Sequence, residues 1–203
     1  MKLGGKKILI RRLKLNKMKK LTFITTNKHK AQEIAAILRD YGIEIEQVIM
    51  EYEESKEDAM EAVSKKAAKF LADKLNKPLI VEDTGLFFKA YNNFPGAQPK
   101  FVIKAIGFDG IFRLLKDKDR SAYFKTVIGY CEPGQEPIIF QGELPGKIIE
   151  EVIEPETEAM PYDHIFVPEG LDKAVVQLTL EEKNAISQRG KAARKLGEYL
   201  KLK

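Results

Sequence analysis

Hydrophobic and polar positions divide the chain into alternating strand-like and helix-like runs. "KKLTFITT" is a short apolar run of the kind that forms a buried strand. "NKHKAQEIAAILRDYG" follows with Ala31, Ile34, Ala35, Ile37 and Leu38 at helical spacing and Gly42 placed to end the helix. "IEIEQVIM" alternates as a strand does, and "EDAMEAVSKKAAKFLADKLNK" sets Ala62, Lys66, Phe70 and Leu71 within a helical pattern. Pro78 then starts the strand "LIVED". The segment "GLFFKAYNNFPGAQPKF", with Asn-Asn, Pro-Gly and a further Pro, reads as a loop before the helical "FVIKAIGFDGIFRLLKD". Three β-rich runs, "SAYFKTVIGYCE", "EPIIFQGELPG" and "KIIEEVIE", predict an antiparallel meander. "TLEEKNAISQRGKAARKLGEYLKLK" reads as one or two helices, with Ser187 as an N-cap and Ala192, Ala193, Leu196, Tyr199 and Leu200 on the inner face. The sum is an α/β domain, a mixed sheet with helices on its faces.

Composition narrows this picture. The 203 residues, 44% of them hydrophobic, suffice for one globular domain with its own core. Cys131 is the lone cysteine and the histidines are only His29 and His164, so neither a disulfide nor a Cys/His metal cluster is expected. No apolar run approaches bilayer length, and "ILI" at 8 to 10 is too short for a secretory core. A soluble protein of the reducing cytoplasm is the expectation. The net charge of +5 comes from the start of the chain: residues 1–17 hold seven Lys or Arg and no acid, leaving 28 bases against 30 acids. That distribution argues against a nucleic-acid partner and for a basic, disordered extension ahead of Met18, with residues 18–203 forming one domain.

Three clusters carry candidate chemistry. "TTNKHK", where a strand flows into a helix, offers hydroxyls, an amide, free backbone N–H groups and Lys30; it either caps the helix or holds an anion such as phosphate. It lacks the glycines of a Walker loop. The acids of "EYEESKED" suit a helix N-terminus in their own right. Together with Glu82 and Asp83, which interrupt the apolar "PLIVEDTGLFF", Glu54 can also converge on a cleft at the carboxyl ends of the strands, where hard oxygen ligands suit Mg²⁺. Side-chain alternation sends Glu82 to the opposite side of its strand from Asp83. "EEKNAISQRGKAARK" supplies Lys183, Arg189, Lys191, Arg194 and Lys195, either a solvated face or, around Ser187, Gln188 and Arg189, a grip on a planar ligand or a phosphate.

In this order the pieces resemble the inosine triphosphate pyrophosphatase family, whose members hydrolyse non-standard purine nucleoside triphosphates to monophosphate and pyrophosphate. The resemblance runs from about Leu21 to about Tyr199. It rests on Thr25, Asn27 and Lys30, on "VEDTGL", on "FPG" at 94 to 96, on Tyr162 and Asp163, on "PEG" at 168 to 170, and on "EEKNAISQRGKA". It implies an elongated central mixed sheet flanked by helices, two lobes with a cleft between them, a homodimer, and ITP, dITP or XTP as substrate. By the same likeness Thr25, Asn27 and Lys30 hold the triphosphate, with Lys66 also facing it. Glu54 and Asp83 position Mg²⁺ and the attacking water, with either carboxylate as base, and Thr84 and Gly85 shape the strand tip. Lys183, Ser187 and Arg189 lie on the nucleotide from the other side.

Departures from the family's pattern gather at the base-reading end. Gln188 stands where the family usually has His, Met160 and Pro161 where it has an aromatic and Gly, His164 where it has Pro, and "AQPK" follows "FPG". Met160 offers a softer contact than an aromatic ring, Pro161 stiffens the loop, and Gln188 both donates and accepts hydrogen bonds. Discrimination against adenine is then expected to weaken, unless the changes leave specificity as it was. A catalytically weak nucleotide-binding protein and a pyrophosphatase of altered base specificity are the competing expectations.

Overall fold

The computed structural model describes residues 18–52, 59–154 and 158–203. The first apolar run forms β1 (Lys19–Ile24), which passes through Asn27 into α1 (Lys28–Arg39), and β2 (Ile43–Val48) lies parallel beside β1. The Ala- and Lys-rich run becomes α2 (Met60–Leu75), ended by Asn76 in the left-handed region. It returns the chain to β3 (Leu79–Phe88), parallel to β1 on the other side. From there the pairing turns antiparallel: β3 to β5 (Ser121–Cys131), β5 to β6 (Ile138–Ile148), and β6 to the short β7 (Phe166–Pro168). A two-residue β4 (Pro95–Gly96) clips onto the end of β3, and α3 (Pro99–Leu114) follows it, kinked at Gly107. The order β2-β1-β3-β5-β6-β7 makes one mixed sheet, flanked by helices as expected.

Alternation along β1 and β3 sorts the apolar side chains to two faces. Phe23, Ile80 and Ile128 pack under α1 and the C-terminal α5 (Gln188–Lys201), while Ile24, Val81 and Cys131 pack under α2. Farther along the sheet Leu86, Phe88, Phe124, Leu144 and Phe166 build a separate core with Ile111 and Leu115. Two close approaches fix where α5 begins. A Cβ on Gly142 of β6 would stand 2.2 Å from the Gln188 carbonyl oxygen. One on Gly190 would stand 2.0 Å from that of Asn184, the last turn of α4 (Leu180–Ile186). Ser187 caps α5 as its sequence predicts, its hydroxyl accepting the Gly190 N–H at 3.0 Å.

Two expectations are corrected. "GLFF" is no loop: it continues β3, because β5 pairs residue for residue through Phe88↔Ala122, and the Asn-Asn and Pro-Gly turn signals take effect only after Phe88. "KIIEEVIE" is no third strand: β6 runs unbroken through Pro145 and Gly146 to Ile148. The third antiparallel partner is β7, whose Pro168 stands opposite Gly146.

Candidate functional site

The carboxyl ends of β1 and β3 open into a cleft of about 640 Å³. Its wall on the α1 side is Thr25, Thr26, Asn27 and Lys30; β3 contributes Glu82, Asp83 and Thr84. Across it stand Pro99, Lys100 and Ile103 of α3, the short turn Met160 to Asp163, and Gln188 and Arg189 at the start of α5. Sequence reading thus finds Thr25, Asn27, Lys30, Asp83, Thr84, Met160, Tyr162, Asp163, Gln188 and Arg189 all bordering one cavity.

Those of the remaining candidates that are described stand elsewhere. Glu54 lies outside the described residues. Lys66 is exposed on α2 and Gly85 is buried within β3; neither borders the cavity. A Cβ on Gly85 would meet the Gly96 carbonyl oxygen at 2.8 Å, so its smallness serves the β4 clip. Ser187 is spent on its cap, and Lys183 lies behind the cavity wall with both Glu33 and Asp163.

Lys30, Glu82, Asp163 and Arg189 of the cleft wall belong, with Glu33 and Lys183 behind them, to a largely buried ionic ring. Arg189, 1% exposed, donates from Nη1 to Glu33 Oε2 at 2.6 Å and from Nε to Glu82 Oε1 at 3.2 Å, and its Nη2 reaches Thr84 Oγ1 at 3.2 Å. Lys183 Nζ joins Glu33 Oε1 at 2.8 Å to Asp163 Oδ2 at 2.6 Å. Lys30 Nζ closes the other side on Glu82 Oε2 at 2.5 Å. Three cations therefore face three carboxylates, which is what allows each to be buried.

Opposing forces set their protonation. Burial pushes the Glu82 carboxyl up, but Arg189, Lys30 and the Thr84 hydroxyl together outweigh it and hold the group down at about 2. Glu33 is likewise held low by Arg189 and Lys183 against its own burial. Asp163 goes the other way: burial raises it, and Lys183 does not fully offset the loss of solvent. The phenol of Tyr162 is also pushed up by burial, and it donates to the Pro99 carbonyl oxygen at 3.0 Å, tying the Met160 to Asp163 turn to α3.

Sequence reading missed Glu33, Thr126 and Lys100. Glu33 had a signal: it occupies the apolar stripe of α1 with Ile34, Ile37 and Leu38, where a carboxylate requires a buried partner. Lys100 sits in "AQPK", read as loop but forming the first turn of α3. Thr126 had none, since its neighbours are set by the β3–β5 register.

Among the described residues no three His, Cys, Asp or Glu side chains are grouped to hold a metal by themselves. The donor set at the cleft, Asp83 with threonine hydroxyls nearby, fits a hard cation that keeps several waters and takes its other oxygens from a bound phosphate, as Mg²⁺ does. It does not fit a dedicated protein cage.

The chain is similar over almost its whole length to known proteins. A protein of Methanopyrus kandleri named dITP/XTP pyrophosphatase is 43% identical over 183 residues, 90% of this chain and 96% of that one. Its namesake in Methanosarcina mazei is 45% identical over 176 residues, 86% and 94% of the two chains. The solved structure of a HAM1 protein from Coxiella burnetii superposes with a TM-score of 0.76 at 26% identity, covering 92% of this chain and all of that one. The Ham1 protein of Staphylococcus aureus gives 0.71 at 27%, covering 90% and 98%. The sequence profile of the Ham1 family matches residues 21–199, a span that contains every residue bordering the cleft, and the chain belongs to the Ham1 family.

Proposed function

We propose that the protein hydrolyses non-standard purine nucleoside triphosphates, ITP, dITP and XTP among them, to the nucleoside monophosphate and pyrophosphate, in the cytoplasm. The observation that carries this reading is one cleft that joins the strand-to-helix turn Thr25 to Lys30, the strand-tip carboxylate of Asp83, and the Met160 to Asp163 turn with Gln188. The relatives named dITP/XTP pyrophosphatase support it.

In this reading Thr25, Asn27 and Lys30 take the triphosphate, with Lys100 as a second cation from the α3 side. Asp83 orients the attacking water and accepts its proton. The water oxygen bonds to the α-phosphorus as the bond to the bridging oxygen breaks, and pyrophosphate leaves with the negative charge that Lys30 stabilises. Mg²⁺, when bound by Asp83 and substrate, would polarise phosphate oxygens. Met160, Pro161, Tyr162 and Gln188 border the base, and the Gln188 amide, unlike an imidazolium, pairs with either an oxo or an amino group. Incubated with ITP, dITP, XTP and the four standard triphosphates, the protein is expected to release pyrophosphate from the first three most rapidly, and only with Mg²⁺ present. Silence across the whole panel would refute the activity.

One further feature favours a homodimer. α3 is largely apolar: Val102 and Ile111 are buried and Ile103, Phe108, Phe112 and Leu114 pack partly against the same core, while Phe101 is 68% and Ile106 44% exposed. A helix of that composition is ordinarily covered. Lys104 and Asp109, both exposed, flank Ile106. A two-fold axis beside Ile106 would bring the Lys104 of one copy toward Asp109 of the other, an arrangement of the self-complementary kind that a two-fold interface requires. Sedimentation should therefore report a dimer for the native protein, a monomer for Phe101→Glu and a weakened dimer for Lys104→Glu. Adding Asp109→Lys to the latter should restore association; if the single charge reversal leaves the dimer untouched, the α3 face is not the interface.

A further inference from the structure

We propose that Thr126 is a positioning residue for this reaction: its buried hydroxyl acts through Thr84 and Glu82 to fix where Lys30 stands in the cleft. The inference rests on the phosphate-binding reading of Lys30 given above.

Thr126 lies on β5 directly opposite Thr84 of β3, is fully buried, and does not border the cleft. Its Oγ1 stands 2.6 Å from Thr84 Oγ1. A hydroxyl has one proton to give. That of Thr84 goes to Glu82 Oε1, so in the threonine pair Thr126 must be the donor. Its own approach to Glu82 Oε1, at 3.3 Å, is the longer contact. The Thr84 oxygen thus receives two donors, Thr126 and Arg189 Nη2, and points its proton at Glu82. With Oε1 of Glu82 claimed by Thr84 and Arg189 Nε, Oε2 is the oxygen left to face Lys30 Nζ. The acceptor-only Glu82 carboxylate fixes the sense of this chain, and Thr126, its innermost member, supplies the donor that holds the Thr84 hydroxyl in that orientation.

Valine has nearly the shape of threonine but cannot donate. Thr126→Val leaves the Thr84 rotor one donor short, the Glu82 carboxylate less constrained, and Lys30 displaced from the place where leaving-group charge appears. Because a displacement near 1 Å in a positioned group can cost about 10²-fold, kcat is expected to fall by roughly 10- to 100-fold. KM should change by less than about threefold, since the ground-state charge on Lys30 is retained. Thr126→Ser restores the donor and should return kcat to within about threefold of the native value.

The experiment measures pyrophosphate release from dITP with Mg²⁺ by the native protein, Thr126→Val, Thr126→Ser and Thr126→Cys, at a temperature where circular dichroism shows each to be folded. If the valine variant does not fold, the cysteine variant, similar in size and a poor donor, is judged by the same criterion. A valine or cysteine variant with native kcat, or a serine variant as slow as either, overturns the role of Thr126 while leaving the activity standing. A native protein without turnover removes the reading beneath it.

Discussion

Replacing Asp83 by Asn is expected to reduce pyrophosphate release by about 10²–10⁴-fold while leaving the fold unchanged. The two side chains are nearly isosteric, so β3 keeps its ladder to β5 and the buried ring keeps its charges. What changes is one negative charge at the cleft: the amide neither takes a proton from water nor offers a hard anionic oxygen to a divalent ion. Steady-state kinetics at saturating dITP and Mg²⁺, beside matching circular dichroism spectra, checks this. Native turnover in the variant would place the base elsewhere.

The second large effect falls on stability. Arg189→Met removes the cation shared by Glu33, Glu82 and Thr84. Breaking a buried ionic group from one side leaves its partners uncompensated, and the expected loss is roughly 3–5 kcal/mol, read as a lower urea midpoint with an unchanged slope. Arg189→Lys should not recover it, because a point charge does not serve three acceptors in different directions. The same ring gives the loss a pH signature. Glu33 and Glu82 are held below the ordinary carboxyl value of 4.5, so the stability they contribute is fully present above that value and fades as pH falls, for Glu82 toward about 2. In Arg189→Met that acid-side slope should be shallower. A variant as stable as the native protein, with the same slope, would show that the ring holds nothing together.

Much of this organisation is legible from residue order alone. The 3.6-residue and 2-residue periods of Ile34, Ile37 and Leu38, and of Ile43 and Ile45, are local properties of the backbone, so α1 and β2 need no tertiary information. Motif residues at element ends, Asn27 and Asp83 among them, lie where α/β sheets open to ligands, and the cleft is found there. Misreadings occurred where a distant partner decides. "GLFF" reads as part of the loop signalled by Asn-Asn, Pro-Gly and Pro because nothing nearby reveals that β5 continues beside it, and "KIIEEVIE" reads as a strand because alternation cannot say which edge is left to pair.

By itself the sequence determined the helices, most of the strands, the mixed α/β class and ten of the residues that border the cavity. Tertiary structure alone decided their partners: that Arg189 is buried among Glu33, Glu82 and Thr84, that Lys183 backs Asp163, and that Thr126 faces Thr84. The physical reason is range. Periodicity and capping act over one or two turns of chain, whereas a buried charge is tolerable only through groups that folding brings from 20 residues away, as for Lys183 and Asp163, to 156, as for Arg189 and Glu33.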